Sequence, residues 1–165
     1  MNVKRLTTLS ILIALALIMY FVEAQIPTLV AIPGIKIGLA NVVTLLAIYI
    51  LSRRDAAIVL ALRILIGNLL VGQIFSFFYS AAGGICCFLV MCIMSKVLKE
   101  DQIWAVSVFG AIAHNIGQIA IAVILLGTTK ILWYLPALTI SSVVTGLFTG
   151  FSAQFIIKRF KNIRY

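Results

Sequence analysis

The chain has 165 residues, of which 64% are apolar and only 10% are charged. A water-soluble domain of this size needs far more polar side chains to cover its surface, so this composition excludes one. The formal net charge of +9 could suggest a nucleic-acid-binding protein. However, the cations lie in short gaps between long apolar runs rather than along one face, which is typical of membrane orientation, and we expect no nucleic acid partner.

The apolar runs have the length of membrane-spanning helices, which need roughly 17 to 25 mostly apolar residues. Charged or proline-containing gaps separate six such runs. The sequence therefore predicts an all-α, polytopic membrane bundle of about six transmembrane helices, forming a single domain over residues 1–165. The predicted helices are Lys4–Ala24, Ile35–Leu51, Asp55–Val71, Phe75–Val97, Ile103–Leu126 and Ile131–Ile157.

The first apolar run also resembles a secretory signal, since Lys4 and Arg5 precede it and Val22, Glu23 and Ala24 imitate a cleavage site. We expect it to be retained, because it is long enough to span the membrane. Its removal would also leave an odd number of helices.

Positive charge in the gaps predicts the orientation, because cytoplasmic loops collect Lys and Arg. Ten of the thirteen cations lie in one alternating set of gaps, whereas the other set holds Lys36 and Lys130, and Arg63 lies inside a span. Both termini are therefore predicted to be cytoplasmic. The ten cations are Lys4, Arg5, Arg53, Arg54, Lys96, Lys99, Lys158, Arg159, Lys161 and Arg164.

The connection Gln25–Gly34 differs from the other gaps because it is apolar and contains Pro27 and Pro33. Proline disfavours continuation of a helix, so an extended or re-entrant loop is predicted at the outer face. Such a loop is either a lid over a binding site or a hydrophobic segment resting at the membrane interface.

Polar side chains within the predicted spans lie in the outer half or near the midplane, whereas the inner halves are apolar. Lipid makes such groups costly unless they face the bundle interior or water. We therefore expect a polar chamber that opens outward and takes up an external solute, with ordinary helix–helix hydrogen bonds as the alternative. The polar residues are Asn41, Thr44, Asn68, Ser76, Tyr79, Ser80, Gln118, Thr139, Ser141 and Ser142.

Arg63 lies eight residues beyond Asp55, about 12 Å along a helix that rises 1.5 Å per residue. A buried arginine prefers a bidentate carboxylate or phosphate. Glu23 lies at the outer end of the first helix, and the other acids are in cytoplasmic gaps. Arg63 is thus either a structural residue that caps backbone carbonyls or the partner of an anionic group on a ligand or another subunit.

A second polar group, in the segment AHNIGQ, comprises His114, Asn115 and Gln118. His114 and Gln118 are four residues apart and share a helix face. This clustering favours a binding site or a proton relay over a purely structural role. No Cys, Asp or Glu stands nearby in sequence to complete a metal site, so no metal is expected.

The sequence contains neither a GxxxxGK[ST] phosphate loop nor paired carboxylates of the DDxxD type. We therefore expect no catalytic residues, no cofactor and no ATP hydrolysis by this chain alone. Energy for uptake would come from a partner or an ion gradient. The three cysteines are interpreted as small hydrophobic side chains. Two small-residue pairs, Gly146 with Gly150 and Ser10 with Ala14, are predicted to provide helix-packing surfaces.

Three segments resemble one bacterial family: IPGIKIGLANVVTLLAIYILSRRDAAIVLALRILIGNLL (Ile32–Leu70), FSFFYSAAGG (Phe75–Gly84) and AHNIGQ (Ala113–Gln118). The family is the Gx transporter family, also labelled heptaprenyl diphosphate synthase component I. It is similar to the S components of energy-coupling factor transporters, six-helix membrane proteins that capture vitamins and related micronutrients.

The resemblance implies a bacterial plasma-membrane protein that works with a membrane coupling subunit and two ATPases. Helix 1 would dock on the coupling subunit through Ser10 and Ala14, which replace the AxxxA pattern of S components. The solute would be a vitamin, a flavin or an isoprenoid- or quinone-related precursor. The alternative is a non-catalytic membrane subunit of a redox or prenyl-diphosphate/quinone biosynthetic complex. The expected substrate-binding residues are Asn41, Arg63, Asn68, Tyr79, His114, Asn115 and Gln118.

Overall fold

The computed structural model describes residues 3–25, 38–71 and 74–163, and these residues form six α-helices and two short 3₁₀ helices without any strand. The all-α prediction is confirmed for this part of the chain. The 3₁₀ helices, Glu100–Gln102 and Thr129–Tyr134, directly precede the fifth and sixth α-helices. The α-helices are α1 (Val3–Gln25), α2 (Asn41–Ile50), α3 (Arg53–Val71), α4 (Ile74–Val97), α5 (Ile103–Leu126) and α6 (Leu135–Ile163).

Four of these helices, α1, α4, α5 and α6, are long and apolar enough to cross a membrane. Their outward faces expose large apolar side chains, including Ile11 (60% exposed), Ile93 (56%) and Phe148 (70%). Apolar surface spread over most faces of a bundle matches lipid rather than water. The chain is therefore a helical membrane protein. The other two helices differ, because α2 has only ten residues and α3 carries four charged side chains.

α2 begins later than the sequence predicted. Residues 38–40 form a turn, and the first helical residue is Asn41, whose N–H donates to the Gly38 carbonyl at 3.0 Å. Gly38 has φ +92°, a left-handed conformation that glycine tolerates and other residues rarely adopt. The predicted start at Ile35 is thus wrong for residues 38–40, while residues 35–37 lie outside the described ranges. The predicted outer loop also lies outside the described ranges from residue 26 onward.

The apolar core has two clusters, with a polar layer between them along α4 and α5. The larger cluster lies at the end of the bundle where α1 and α3 begin and α2 ends, and the smaller cluster lies at the opposite end. This agrees with the expected apolar inner halves. The larger cluster includes Leu9, Leu12, Leu45, Leu46, Val59, Cys87, Met91 and Val106, and the smaller one includes Tyr79, Ile119, Ala122, Ile131 and Leu138.

Two glycines let α6 approach α5 at backbone contact. A Cβ atom on Gly146 would lie 2.7 Å from Cα of Val108, and one on Gly150 would lie 2.6 Å from Cα of Trp104. Both separations are shorter than real Cβ atoms allow, so only glycine fits here. The prediction that Gly146 and Gly150 provide a packing surface is confirmed.

Candidate polar binding site

A small buried cavity lies between α1, α3, α4, α5 and the turn that precedes α2. It has about 10 Å³ of space for water, which is room for about one molecule. Six of its eight lining residues have polar side chains, although they lie among helices that expose apolar side chains on their outer faces. The lining residues are Tyr20, Glu23, Gly38, Ala40, Asn41, Arg63, Ser80 and His114.

Arg63 and Asn41 form the wall contributed by α3 and α2. Both terminal nitrogens of Arg63 donate to Oδ1 of Asn41, each at 3.2 Å. The two residues are buried, with 3% and 4% of their surfaces exposed. Nε of Arg63 and Nδ2 of Asn41 have no hydrogen-bond partner among the described residues. Because a buried donor without an acceptor is costly, these two N–H groups favour an additional acceptor at the cavity.

Glu23 brings a carboxylate to the same cavity. It is buried, and its Oε1 accepts a hydrogen bond from the backbone N–H of Gly38. A cation and an anion therefore line one small space between α1 and α3. Glu23 was not among the expected site residues, because it lies near the end of its helix, where acidic residues are common. The signal was present in the spacing, since Ala16, Tyr20 and Glu23 follow an i, i+4, i+7 pattern and all three are buried.

Tyr20 links the cavity to Asn68. Its hydroxyl donates to Oδ1 of Asn68 at 2.8 Å and lies 3.5 Å from Oγ of Ser76. Nδ2 of Asn68 donates to the carbonyl of Ile64, one turn earlier in α3, at 2.8 Å. Asn68 thus lies one hydrogen bond behind the cavity wall. Tyr20 was also absent from the predicted site, although its buried position on the Glu23 face of α1 could have identified it.

His114 and Gln118 form the α5 side of the site. The two side-chain Nε2 atoms lie 3.0 Å apart, and both residues are buried. Gly83 of α4 leaves the space that they occupy, since a Cβ there would lie 2.8 Å from Cγ of Gln118 and 2.9 Å from Cε1 of His114. His114 lines the cavity directly, whereas Gln118 contacts the cavity through His114.

Asn115 lies on another face of α5 and bonds to α6. Its Nδ2 donates to the carbonyl of Leu138 at 3.0 Å and to Oγ of Ser142 at 2.6 Å. Ser142 in turn donates to the Leu138 carbonyl at 2.7 Å. Asn115 therefore serves as a helix–helix contact in this structure, and it is not among the residues that line the cavity.

Tyr79 packs in the smaller apolar cluster, with Ile119 and Leu138 among its members. The structure thus brings five of the seven expected site residues together. Asn41, Arg63 and His114 line the cavity, and Asn68 and Gln118 bond to residues that line it. Tyr79 and Asn115 lie elsewhere.

Polar residues of α6 satisfy their hydroxyl groups locally. Thr139 donates to the Leu135 carbonyl at 2.8 Å, and Thr145 donates to the Ser141 carbonyl at 2.9 Å. Such bonds to the preceding turn are the usual way that Ser and Thr are accommodated in apolar helices. The α6 residues therefore fit the alternative interpretation of ordinary helix bonding rather than the chamber.

Ser10 and Ala14, the expected docking residues, both lie on the exposed face of α1. The opposite face of this helix packs into the bundle through Leu9, Leu12 and Ala16. The Ser10 and Ala14 positions are thus accessible to lipid or to a partner helix.

No group of three or more His, Cys, Asp or Glu side chains in the described ranges could hold a metal ion. Cys86, Cys87 and Cys92 are free thiols. Cys87 is buried in the larger apolar cluster, in agreement with its interpretation as a small hydrophobic side chain.

The fold and the cavity define a class: an α-helical membrane protein with a polar, charge-lined space between its helices. The chain belongs to the family described as heptaprenyl diphosphate synthase component I, whose family model matches residues 12–156. The resemblance noted from the sequence is thereby confirmed under that description. Comparisons with curated proteins and with solved structures give no match.

Proposed function

We propose that this protein is a substrate-capturing membrane subunit, similar to an S component, for uptake of a small organic solute. The observation that carries the proposal is the convergence of polar side chains from α1, α2, α3, α4 and α5 on one buried cavity. Polar groups at membrane depth are costly and usually mark a substrate or ion pathway.

The proposed topology has six spans, which adds to the four long apolar helices the short helix α2, with ten residues, and α3, with four charged side chains. Three of the four charged residues of α3 lie in its first turn, and the fourth, Arg63, is buried. The lipid-facing part of α3 is therefore apolar, as a span requires. With six spans both termini lie on one side, and the distribution of Lys and Arg favours the cytoplasm of a bacterial plasma membrane.

The free donors of Arg63 and Asn41 favour a solute with an anionic or carbonyl oxygen. Arginine binds carboxylate and phosphate groups through its planar array of donors, and the asparagine amide adds a further N–H. The solute would belong to the vitamins, flavins or isoprenoid- and quinone-related precursors. Because the cavity accommodates only about one water molecule, binding such a solute requires its walls to move apart.

Uptake against a gradient would need an energy source outside this chain, since the sequence contains no phosphate-binding loop. A membrane coupling subunit with two ATPases would supply it. The exposed Ser10 and Ala14 face of α1 supports such docking, because small side chains let a partner helix approach closely.

The second candidate is a non-catalytic membrane subunit of a redox or prenyl-diphosphate/quinone biosynthetic complex. It is favoured by the description of the family as a synthase component. Catalysis by this chain alone is not proposed, because the sequence has no paired carboxylates of the DDxxD type for magnesium-bound diphosphate. Co-purification separates the two candidates: ATPase and coupling subunits favour uptake, whereas a reductase or prenyl synthase favours the complex.

The direct test is mass spectrometry of small molecules carried through purification. It is combined with thermal unfolding of the detergent-solubilised protein against a panel of vitamins, flavins and quinone precursors. We expect one compound to be retained and to raise the unfolding temperature, because a ligand that binds only the folded state stabilises it. Absence of any retained or stabilising compound would contradict the proposal.

A further inference from the structure

A second and larger cavity lies at the end of the bundle where α1 and α3 begin. Its volume is about 610 Å³, and it opens to the surface between these helices and the end of α2. The polar part of its lining is contributed by Lys4, Arg5, Thr8, Ser52, Arg54 and Asp55. None of these residues takes part in the solute site.

The lining carries three cations and one carboxylate, an excess of two positive charges. Arg5 and Asp55 form a bidentate pair, with Nη2–Oδ1 at 2.7 Å and Nε–Oδ2 at 3.1 Å. Ser52 donates to the same carboxylate at 2.8 Å. The Asp55 side chain is only 4% exposed, so its charge is directed to Arg5 and Ser52 rather than to the open space. Lys4 and Arg54 are exposed at the rim.

The remaining lining is apolar and continues onto the outside of the bundle. Ile50 and Leu51, at the end of α2, line the cavity and are half-buried. Ile11 lies one turn beyond Thr8 on the same face of α1, and Ile18 follows two turns later. These two isoleucines are 60% and 57% exposed. A cationic pocket thus leads directly to an apolar strip along a membrane helix.

We propose that this cavity binds the head group of an anionic phospholipid. The phosphate lies between Lys4 and Arg54, and an acyl chain follows Ile11 and Ile18. The Arg5–Asp55 pair fixes the relative positions of α1 and α3, so that both cations face the same space. Pockets with excess positive charge at a membrane boundary attract anionic lipid, and each Lys or Arg near the surface contributes. This inference relies on the proposed membrane placement but not on any solute.

The experiment measures lipid retention by native mass spectrometry of the full chain. The probe is dioleoylphosphatidylglycerol, and dioleoylphosphatidylcholine is the neutral control lipid. In the variant K4Q/R54Q we expect phosphatidylglycerol binding to weaken on the order of tenfold or more, because two phosphate-facing charges are lost. The matched variant K158Q/R159Q removes the same charge from exposed positions on α6 and should bind as the wild type does.

Three results would overturn the inference. The first is equal retention of phosphatidylglycerol by K4Q/R54Q and the wild type. The second is equal loss in K158Q/R159Q, which would show a general charge effect. The third is full displacement of the lipid by glycerol 3-phosphate, which would identify a free phosphate ester as the ligand.

The variant K4R/R54K keeps both charges and should retain the lipid, which separates lost binding from poor folding. Binding to the solute panel is a separate readout, so either proposal can fail alone.

Discussion

Two faces of α5 carry buried polar side chains, and they differ in how those side chains are bonded. On the face toward α6, Asn115 donates to both Leu138 and Ser142. The hydroxyl oxygens of Ser107 and Thr149 lie 3.0 Å apart on the same side. On the face toward α4, His114 borders a cavity that is also lined by Arg63 and Asn41, each of which has a donor without an acceptor among the described residues.

The difference separates polar groups that hold helices together from polar groups that are available to a ligand. On the α6 face most donors have acceptors within the protein, so the hydrogen bonds serve packing. At the cavity two N–H groups lack acceptors, although protein side chains surround them. Polarity within the bundle is therefore not sufficient to identify a binding site; at this cavity, unpaired donors and a common space occur together.

The strongest test of this contrast compares Arg63→Leu with Asn115→Ala. We expect Arg63→Leu to lower the amount of ligand released from purified, denatured protein by about 30-fold or more, since truncating a buried charged partner typically costs about 2–5 kcal/mol. Asn115→Ala should retain the ligand. Liquid chromatography with mass spectrometry measures both amounts. If the two variants lose ligand equally, the two faces do not differ in function.

Packing on the two sides of α5 can be compared through two glycines. Gly150→Ala places a Cβ 2.6 Å from Cα of Trp104, whereas Gly110→Ala places one 2.6 Å from Cε of Met91. Backbone cannot yield as a flexible side chain can. We therefore expect Gly150→Ala to lower the free energy of unfolding by about 1–3 kcal/mol and Gly110→Ala to lower it by less. Unfolding in a detergent–denaturant titration measures both, and the reverse order would contradict this view of the α5–α6 contact.

A double-mutant cycle with Asn115→Ala and Ser142→Ala measures the bond between α5 and α6. We expect a coupling energy of about 0.6 kcal/mol and at most about 1.7 kcal/mol, the range found for hydrogen bonds between membrane helices. The control cycle combines Asn115→Ala with Thr139→Ala instead of Ser142→Ala, because the Thr139 hydroxyl donates to its own helix. Coupling in that cycle should be near zero, and coupling of similar size in both cycles would remove the specificity of the contact.

The smallest expected effect is that of Tyr20→Phe, which removes the hydroxyl bonded to Asn68. The free energy of unfolding should fall by about 0.5 kcal/mol, because one neutral hydrogen bond between membrane helices is lost. Tyr134→Phe, at a position 40% exposed, serves as the control and should be neutral. A large fall for Tyr20→Phe would indicate that the polar layer stabilises the fold as much as the α5–α6 contact does.

The sequence predicted the existence of the six helices well, because a helical span depends on the apolar pattern along the chain. It placed His114, Asn115 and Gln118 in one site, yet adjacent helical residues point about 100° apart. Asn115 consequently meets α6 while His114 meets the cavity. Which neighbour each face meets is decided by tertiary packing, including the close approach at Gly150. The late start of α2 depends on the backbone of Gly38, which an apolar run does not reveal.

Two charged residues, Glu23 and Arg63, line the cavity, and the site predicted from the sequence included only Arg63. Arg63 stood out because it is a lone cation within an apolar run. Glu23 lies near the end of its helix, where acids are common, and only its alignment with Ala16 and Tyr20 indicates burial. Burial of a charged side chain in this bundle therefore depends on its helix face as well as on its position along the helix.

The bonds between α1 and α3 determine which walls of the cavity can separate. Arg5–Asp55 joins these helices near one end of α1, and Tyr20–Asn68 joins them near the other. These two contacts, near opposite ends of α1, restrain the position of α1 relative to α3. The start of α2, in contrast, is held by contacts at the cavity itself, from Gly38 to Glu23 and from Arg63 to Asn41, which a ligand can replace. Enlargement of the cavity is thus mechanically easiest by a swing of the first turn of α2, and spin labels on α1 and α3 should keep their separation when ligand binds.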